Sequence, residues 1–171
     1  AAFALPIIER LVANPELNSV LVVAPTRELA QQIDEQFRAF AYNMRLFSTL
    51  VVGGANIERQ IQQLRRGPHV IIGTPGRLRD LMKRNVLKLD HVRTLVLDEA
   101  DRMLDMGFIN DITAIAQETP KDRQTLFFSA TITADIERLV QNFLRDPKTV
   151  SVRTADTSER VDQDIIEASG K

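Results

Sequence analysis

Five short apolar runs punctuate the chain: Val20-Leu-Val-Val-Ala24, Leu50-Val-Val52, Val70-Ile-Ile72, Leu95-Val-Leu97 and Leu126-Phe-Phe128. They are rich in β-branched residues and lack polar alternation, the pattern of strands buried on both faces of a parallel sheet. The amphipathic stretches between them predict helices over about 26–42, 56–66, 75–84, 101–118 and 133–145. The apolar opening, Ala1 to Leu11, reads as a helix within the domain. Thr149–Val152 predicts a further strand, Arg153–Glu159 a polar linker, and Val161–Ala168 a short extended piece. Strand and helix in alternation predict an α/β domain, a parallel sheet flanked by helices.

The same pattern locates a binding face. Each apolar run is followed at once by a small or polar cluster: Pro25-Thr-Arg-Glu28, Gly53-Gly54, Gly73-Thr-Pro-Gly-Arg77, Asp98-Glu-Ala-Asp101 and Ser129-Ala-Thr131. Ligands of parallel α/β sheets bind outside the carboxyl ends of the strands, so five strand ends carry chemistry to one edge.

Composition narrows the chemistry. The chain has 171 residues, enough for one domain with a real core, and no apolar run long enough to cross a bilayer. No basic stretch precedes the opening helix and no small-residue cleavage site follows it, so it is not read as a signal peptide, and a cytoplasmic protein is expected. Cysteine is absent, which excludes disulfides, thiolate metal sites and thiol catalysis. With two histidines, His69 and His91, a histidine-built metal centre is not expected. The 22 basic and 23 acidic residues leave a net charge of −1, so nucleic acid is not held by bulk electrostatics. Any such binding has to come from local arrangement.

Each cluster has a functional and a plain reading. Asp98-Glu99-Ala100-Asp101 follows the apolar Thr94–Leu97, which delivers carboxylates to a strand tip. In a nucleoside triphosphatase the first acid of such a group holds Mg²⁺, usually through water, and its neighbour positions the attacking water. The plain reading is acids complementing a helix macrodipole. Thr74 suits an N-cap and Pro75 a first helical position, so Thr74-Pro75-Gly76-Arg77 offers free N–H groups beside a guanidinium, an anion site suited to a nucleic-acid phosphate. Thr26 and Arg27 repeat the arrangement after Pro25, and Gly53-Gly54 lets a ligand approach the backbone closely. Any one of these turns alone is an ordinary strand-to-helix connection; three on one edge can grip a sugar–phosphate backbone without reading bases. Ser129 and Thr131 place hydroxyls where they can bond the acids of the neighbouring strand, or simply start the helix near 133. Met103, Met106 and Phe108 read as core packing, and Arg65-Arg66 as a solvated helix end.

On these residues the chain resembles the DEAD-box family of ATP-dependent RNA helicases, from Ala1 to about Val152. Pro25–Ala30 (PTRELA) is similar to motif Ia, Gly53-Gly54 to the GG motif, Thr74–Arg77 (TPGR) to motif Ib, Asp98–Asp101 (DEAD) to motif II and Ser129–Thr131 (SAT) to motif III, all in family order. The run Arg102-Met-Leu-Asp-Met-Gly-Phe108 is also typical of it. The resemblance implies a RecA-like domain over 1–152, a P-loop NTPase fold, and over 153–171 a connection toward a second RecA-like domain. It implies ATP and Mg²⁺, with Asp98 binding the metal through water and Glu99 orienting the hydrolytic water. Asp101, Ser129 and Thr131 would couple nucleotide state to domain closure and RNA strand separation. Pro25, Thr26, Arg27, Gly53, Gly54, Thr74, Pro75, Gly76 and Arg77 would contact the RNA backbone independently of sequence.

The family's phosphate loop, A-x-T-G-x-G-K-T, does not occur in the 171 residues, nor does the upstream Q motif. Ala1–Ile8 resembles the segment that follows that loop, so the chain is expected to start just after it and to lack the second domain with its arginine finger. That finger is worth roughly 10³–10⁵ in rate, and the chain alone is therefore expected neither to hydrolyse ATP nor to unwind RNA. A missing strand also leaves an unpaired edge, an expectation of marginal stability or self-association. The competing reading is a module that binds RNA or a partner without catalysis. A third, a helicase acting on DNA, is disfavoured by the spelling of the motifs.

Overall fold

The computed structural model describes residues 2–16 and 19–151. Its five strands, β1 (Val20–Val23), β2 (Ser48–Val51), β3 (Val70–Gly73), β4 (Thr94–Leu97) and β5 (Gln124–Phe127), form one parallel sheet in the order β2-β3-β1-β4-β5. The helices are α1 (Ala4–Ala13), α2 (Arg27–Phe40), α3 (Ile57–Arg65), α4 (Pro75–Lys83), α5 (Ala100–Asp105), α6 (Ile109–Gln117) and α7 (Ala134–Phe143). No helix among the described residues is long and apolar enough to cross a membrane.

Strand alternation feeds two cores. Leu21, Val23, Val51, Ile71, Leu95 and Leu97 face a layer that includes Leu64, Leu78, Leu81, Met103, Ile112, Ile115 and Ile136, from α3 through α7. Val20, Val22, Val70, Ile72 and Val96 face the layer of Ile7, Ile8 and Leu11 on α1 and Ile33 and Phe37 on α2. The expected α/β sheet with helices on both faces is what forms. Connections toward β2 cross one face and those toward β5 the other, as right-handed crossovers require. β1 and β4 are neighbours whose connections leave in opposite directions, so the topological switch point lies between their carboxyl ends.

Three predicted elements differ. The helix expected over 101–118 is two helices. Gly107 takes φ +78°, its N–H donates to the Leu104 carbonyl at 2.8 Å, and the Phe108 N–H donates to the Met103 carbonyl at 2.9 Å. That is a Schellman closure, which ends α5 within the apolar pattern. β2 runs from Ser48, earlier than the apolar run suggests, because Asp34 on α2 accepts from the Ser48 hydroxyl and Thr49 is buried in the sheet. Thr149–Ser151 forms no strand, since β5 is paired to β4 alone and no described strand lies beyond it. Val152, the linker over 153–159 and the piece over 161–168 lie outside the described residues.

Candidate functional site

On the β2 side of the switch point three turns converge. Pro25, Thr26 and Arg27 after β1, Gly53 after β2, and Thr74, Gly76 and Arg77 after β3 line one groove of about 530 Å³. Thr26 has extended backbone and its hydroxyl accepts the Leu29 N–H at 3.3 Å, an N-cap worth about 1 kcal/mol. Thr74 occupies the N-cap of α4 and Pro75 its first turn, but the Thr74 hydroxyl makes no capping bond. It stays available in the groove. Pro75 itself is buried.

The glycines also make room for a side chain of the site. A Cβ on Gly53 would lie 3.4 Å from the Arg27 guanidinium, and one on Gly54, at φ +74°, would collide with it. The Gly53-Gly54 backbone is therefore the seat of the Arg27 side chain. Arg77 is fixed from another direction. Its guanidinium donates to the Ala55 carbonyl at 3.3 Å and to Gln60 Oε1 at 3.2 Å, while Gln60 Nε2 donates to the Val52 carbonyl at 2.9 Å. Gln60 is only 4% exposed. Two cations thus stand at set positions over helix N-termini whose N–H groups favour anions.

The sequence reasoning missed Gln60, although a polar residue on the Ile57/Ile61/Leu64 stripe of α3 was a usable signal. It also misassigned Met106. Met103 is fully buried and Phe108 partly so, as core packing requires, but Met106 is 47% exposed, and Met106 and Phe108 both line the groove. The break at Gly107 turns them there, and no local periodicity announces it.

The carboxylates Asp98, Glu99 and Asp101 follow the tip of β4, beside the hydroxyls of Ser129 and Thr131 at the tip of β5, on the same edge. Asp98 is half-buried, and its Oδ1 accepts the Glu99 N–H at 3.1 Å. Burial pushes its carboxyl above the usual aspartate range; the Glu99 N–H bond opposes this and the Glu99 charge reinforces it. Glu99 has a left-handed backbone, φ 50° and ψ 53°, and its carboxylate pairs with Arg102 at 3.1 Å. A non-glycine residue in that region at a strand tip is strain held in place by its neighbours. Asp101 is the hub of a latch. Its Oδ2 accepts the Ala130 N–H at 3.1 Å, the Thr131 N–H at 3.0 Å and the Thr131 hydroxyl at 3.0 Å. Burial would raise this carboxyl, yet the bonds from Arg102, Thr131 and Ala130 together hold it below the usual range. Ser129, expected to reach an acid, instead donates to the Thr131 carbonyl at 2.7 Å, closing the turn that presents Thr131. Thr133 caps α7 by accepting the Ile136 N–H at 3.4 Å, so Ser129 and Thr131 are not spent on starting that helix. His69 is no ligand either: its Nδ1 accepts the Phe47 N–H at 3.1 Å, and burial lowers its basicity.

Comparison with known proteins agrees with this layout. The DEAD/DEAH box helicase family model matches residues 1–139. The ATP-dependent RNA helicase CshA of Limosilactobacillus reuteri is 48% identical over 170 residues, 98% of this chain and 34% of the relative. The RNA helicase CrhR of Synechocystis is 48% identical over 166 residues, 96% of this chain and again 34% of the relative. The chain thus spans about a third of the length of these curated relatives. Among solved structures, a DEAD box protein from Methanococcus jannaschii superposes with a TM-score of 0.79 at 37% identity, covering 85% of this chain and 39% of that one. A hypothetical ATP-dependent RNA helicase from Sulfolobus tokodaii gives 0.78 at 37% identity, covering 86% and 43%. With its five motifs on one edge of a five-stranded parallel sheet, the chain belongs to the DEAD/DEAH box helicase family.

Proposed function

We propose that this chain is the RNA-gripping and part of the ATP-hydrolysing face of an ATP-dependent RNA helicase that separates short duplexes locally. The observation that carries this is the single groove into which three strand ends deliver Arg27, Arg77, Thr26, Thr74 and Gly76, beside the Asp98-Glu99 tip at the switch point. Fixed guanidiniums and helix N-termini bind phosphates; none of these groups reads a base pattern, which supports a sequence-independent hold on the backbone. Met106 and Phe108 offer an apolar wall for a ribose or an unstacked base.

The carboxylates fit a hydrated hard cation. Among the described residues no group of three His, Cys, Asp or Glu could cage a metal. Mg²⁺ needs no such cage, since it keeps waters and takes its other oxygens from a substrate phosphate. Asp98 would hold it through water, where it neutralises developing phosphate charge. A nearby cation also keeps Asp98 ionised against the burial that otherwise favours its acid form. Glu99, aimed by its left-handed backbone, orients the hydrolytic water; Asp101 and Thr131 tie that strand tip to the β5 tip and couple nucleotide state to closure onto a second RecA-like domain.

The test is fluorescence anisotropy of the chain with a labelled single-stranded oligouridine across a salt series. Arg27→Ala and Arg77→Ala are each expected to weaken binding by roughly tenfold, irrespective of base sequence, and to flatten the salt slope by about 0.7, the value for one single-strand phosphate contact. Unchanged slopes in both variants would remove the groove as the RNA site.

A further inference from the structure

We propose that the free edge of β2 is a docking strand for an extended peptide of a partner protein in which acidic residues alternate with apolar ones. β2 ends the sheet among the described residues and pairs with β3 alone. Phe47 and Val51 turn their carbonyls to the β3 side, where they accept the His69, Val70 and Thr74 N–H groups. By the alternation of a parallel ladder, the N–H and C=O of Ser48 and Leu50 face outward. The edge strand is short, but Ser48-Thr49-Leu50-Val51 carries no proline and no lysine to block pairing.

The surroundings of that edge define what it takes. A groove of about 440 Å³ lies at its amino-terminal end, between Leu46–Thr49 and the Gly67-Pro68 turn that enters β3, at the opposite end of the strand from Gly53-Gly54. Arg38 of α2 borders it from one sheet face, and Gln63 and Arg66 from the end of α3 border it from the other, over Leu46, Phe47 and Ser48. No acidic side chain lines the groove. Arg38 is partly neutralised by Asp34 at 2.9 Å, but Arg66, like Arg45 and Arg65 nearby in sequence, has no carboxylate within 4 Å among the described residues. The segment entering β2 also exposes four large apolar side chains: Phe40, Tyr42 at 76%, Met44 and Phe47 at 63%. Outward main-chain groups give a strand its affinity, the unpaired Arg66 selects acids on the α3 face, and Leu46 and Leu50, half-buried on the α2 face, select the apolar positions between them. RNA would use the cations but not the strand amides or the two leucines, and a second copy of this chain would bring like cations together. The acidic strand is the occupant that uses every feature.

The experiment titrates a labelled octapeptide of alternating Asp and Val or Phe into the chain and follows anisotropy. Saturable binding is expected, weakened at least about tenfold by Arg66→Glu, since like-charge juxtaposition costs more than that factor. N-methylating one set of alternate peptide amides is expected to abolish binding, and methylating the other set to leave it intact, because only one set reaches the outward carbonyls; this arm leaves the protein unaltered. The Ser48 and Leu50 amides should shift in the ¹⁵N spectrum and gain protection from exchange. Arg27→Ala should leave the peptide affinity unchanged while it weakens RNA binding, so the two readings fail separately. Absence of saturable binding, equal loss with both methylation patterns, competition by oligouridine that Arg66→Glu relieves, or a chain dimer in sedimentation that the peptide leaves intact would each overturn the proposal.

Discussion

The two halves of the carboxyl edge are built differently. Around β1, β2 and β3 the groups are braced from below: Arg27 rests on the Gly53-Gly54 backbone, and Arg77 is held by a glutamine buried to 4% exposure. The strands beneath, β1 and β3, are buried at every position. Around β4 and β5 the main chain is as firmly seated at β4, buried at every position, but the side chains of the tips are tied to one another. Glu99 leans on a half-exposed Arg102, Asp101 holds Thr131 through bonds at the surface, and β5 is buried at none of its four positions. A fixed half suits a ligand of constant geometry, such as a sugar–phosphate backbone, because no ordering cost is left for binding. A half tied by exchangeable surface bonds suits a site whose contacts change with nucleotide state, because water can replace each bond at small cost. The difference between the halves is therefore a difference in how much of the geometry survives a single substitution.

Removing the bracing under the first half should have the largest effect. A Cβ on Gly73 would sit 2.5 Å from the Val51 carbonyl oxygen and 3.0 Å from Leu78, between two strands and a helix with nowhere to yield. Gly73→Ala is expected to destabilise the chain by about 2–3 kcal/mol, the upper range for overpacking, and to open the groove as β2 and α4 move apart. Urea unfolding measures the first and oligouridine affinity the second. A loss below about 0.5 kcal/mol, within the range of an ordinary surface substitution, would mean the groove is not braced by the sheet.

Gln60→Leu strikes the same half more narrowly. It keeps the volume but leaves the Val52 carbonyl without a donor and Arg77 without its anchor. A buried acceptor left unsatisfied costs about 1–3 kcal/mol. RNA affinity should fall by several-fold with it, whereas Arg77→Ala, which spares the Gln60–Val52 bond, should lose affinity with little loss of stability. Equal stability losses in the two variants would show that Gln60 braces the fold and not the guanidinium.

How far these features were legible depends on whether chemistry or packing decides them. The strands are readable because runs such as Val70-Ile-Ile72, apolar on both faces, have few other fates. The residues that converge on the groove are readable because each follows such a run, and a parallel sheet puts all those ends on one edge. What stayed hidden is set by contacts distant in sequence. The role of Gly53-Gly54 as the seat of Arg27 depends on a side chain from the turn after another strand. Met106 is the exception to distance: it is exposed because Gly107 closes α5 through local bonds, against the spacing from Met103. The strand expected at Thr149 carries strand-like residues but has no described neighbour to pair with, and propensity alone does not make a strand.

The smallest effect probes the second half, and its signature is a sign. Asp101 is held below the usual carboxylate range, so the stability it contributes is present above its unfolded value and is lost as pH falls through the lowered folded one. Asp98 is shifted the other way by burial. Its contribution is present below the unfolded value and is lost as pH rises through the raised folded one. Asp101→Asn, which keeps an acceptor but loses the charge, should therefore lower stability at neutral pH by about 0.5–1 kcal/mol and narrow that deficit in acid. Asp98→Asn should do the reverse: it removes an ionised carboxylate from a half-buried site, so the chain should gain stability at neutral pH and lose that gain in acid. Carboxyl ¹³C titrations of the parent chain locate the two groups directly, Asp101 below and Asp98 above an exposed aspartate. If Asp101 titrates like an exposed aspartate, the bonds to Ala130 and Thr131 do not persist in solution. The β4 and β5 tips would then be untied in the free chain, and any coupling through them would have to be assembled by the ligands.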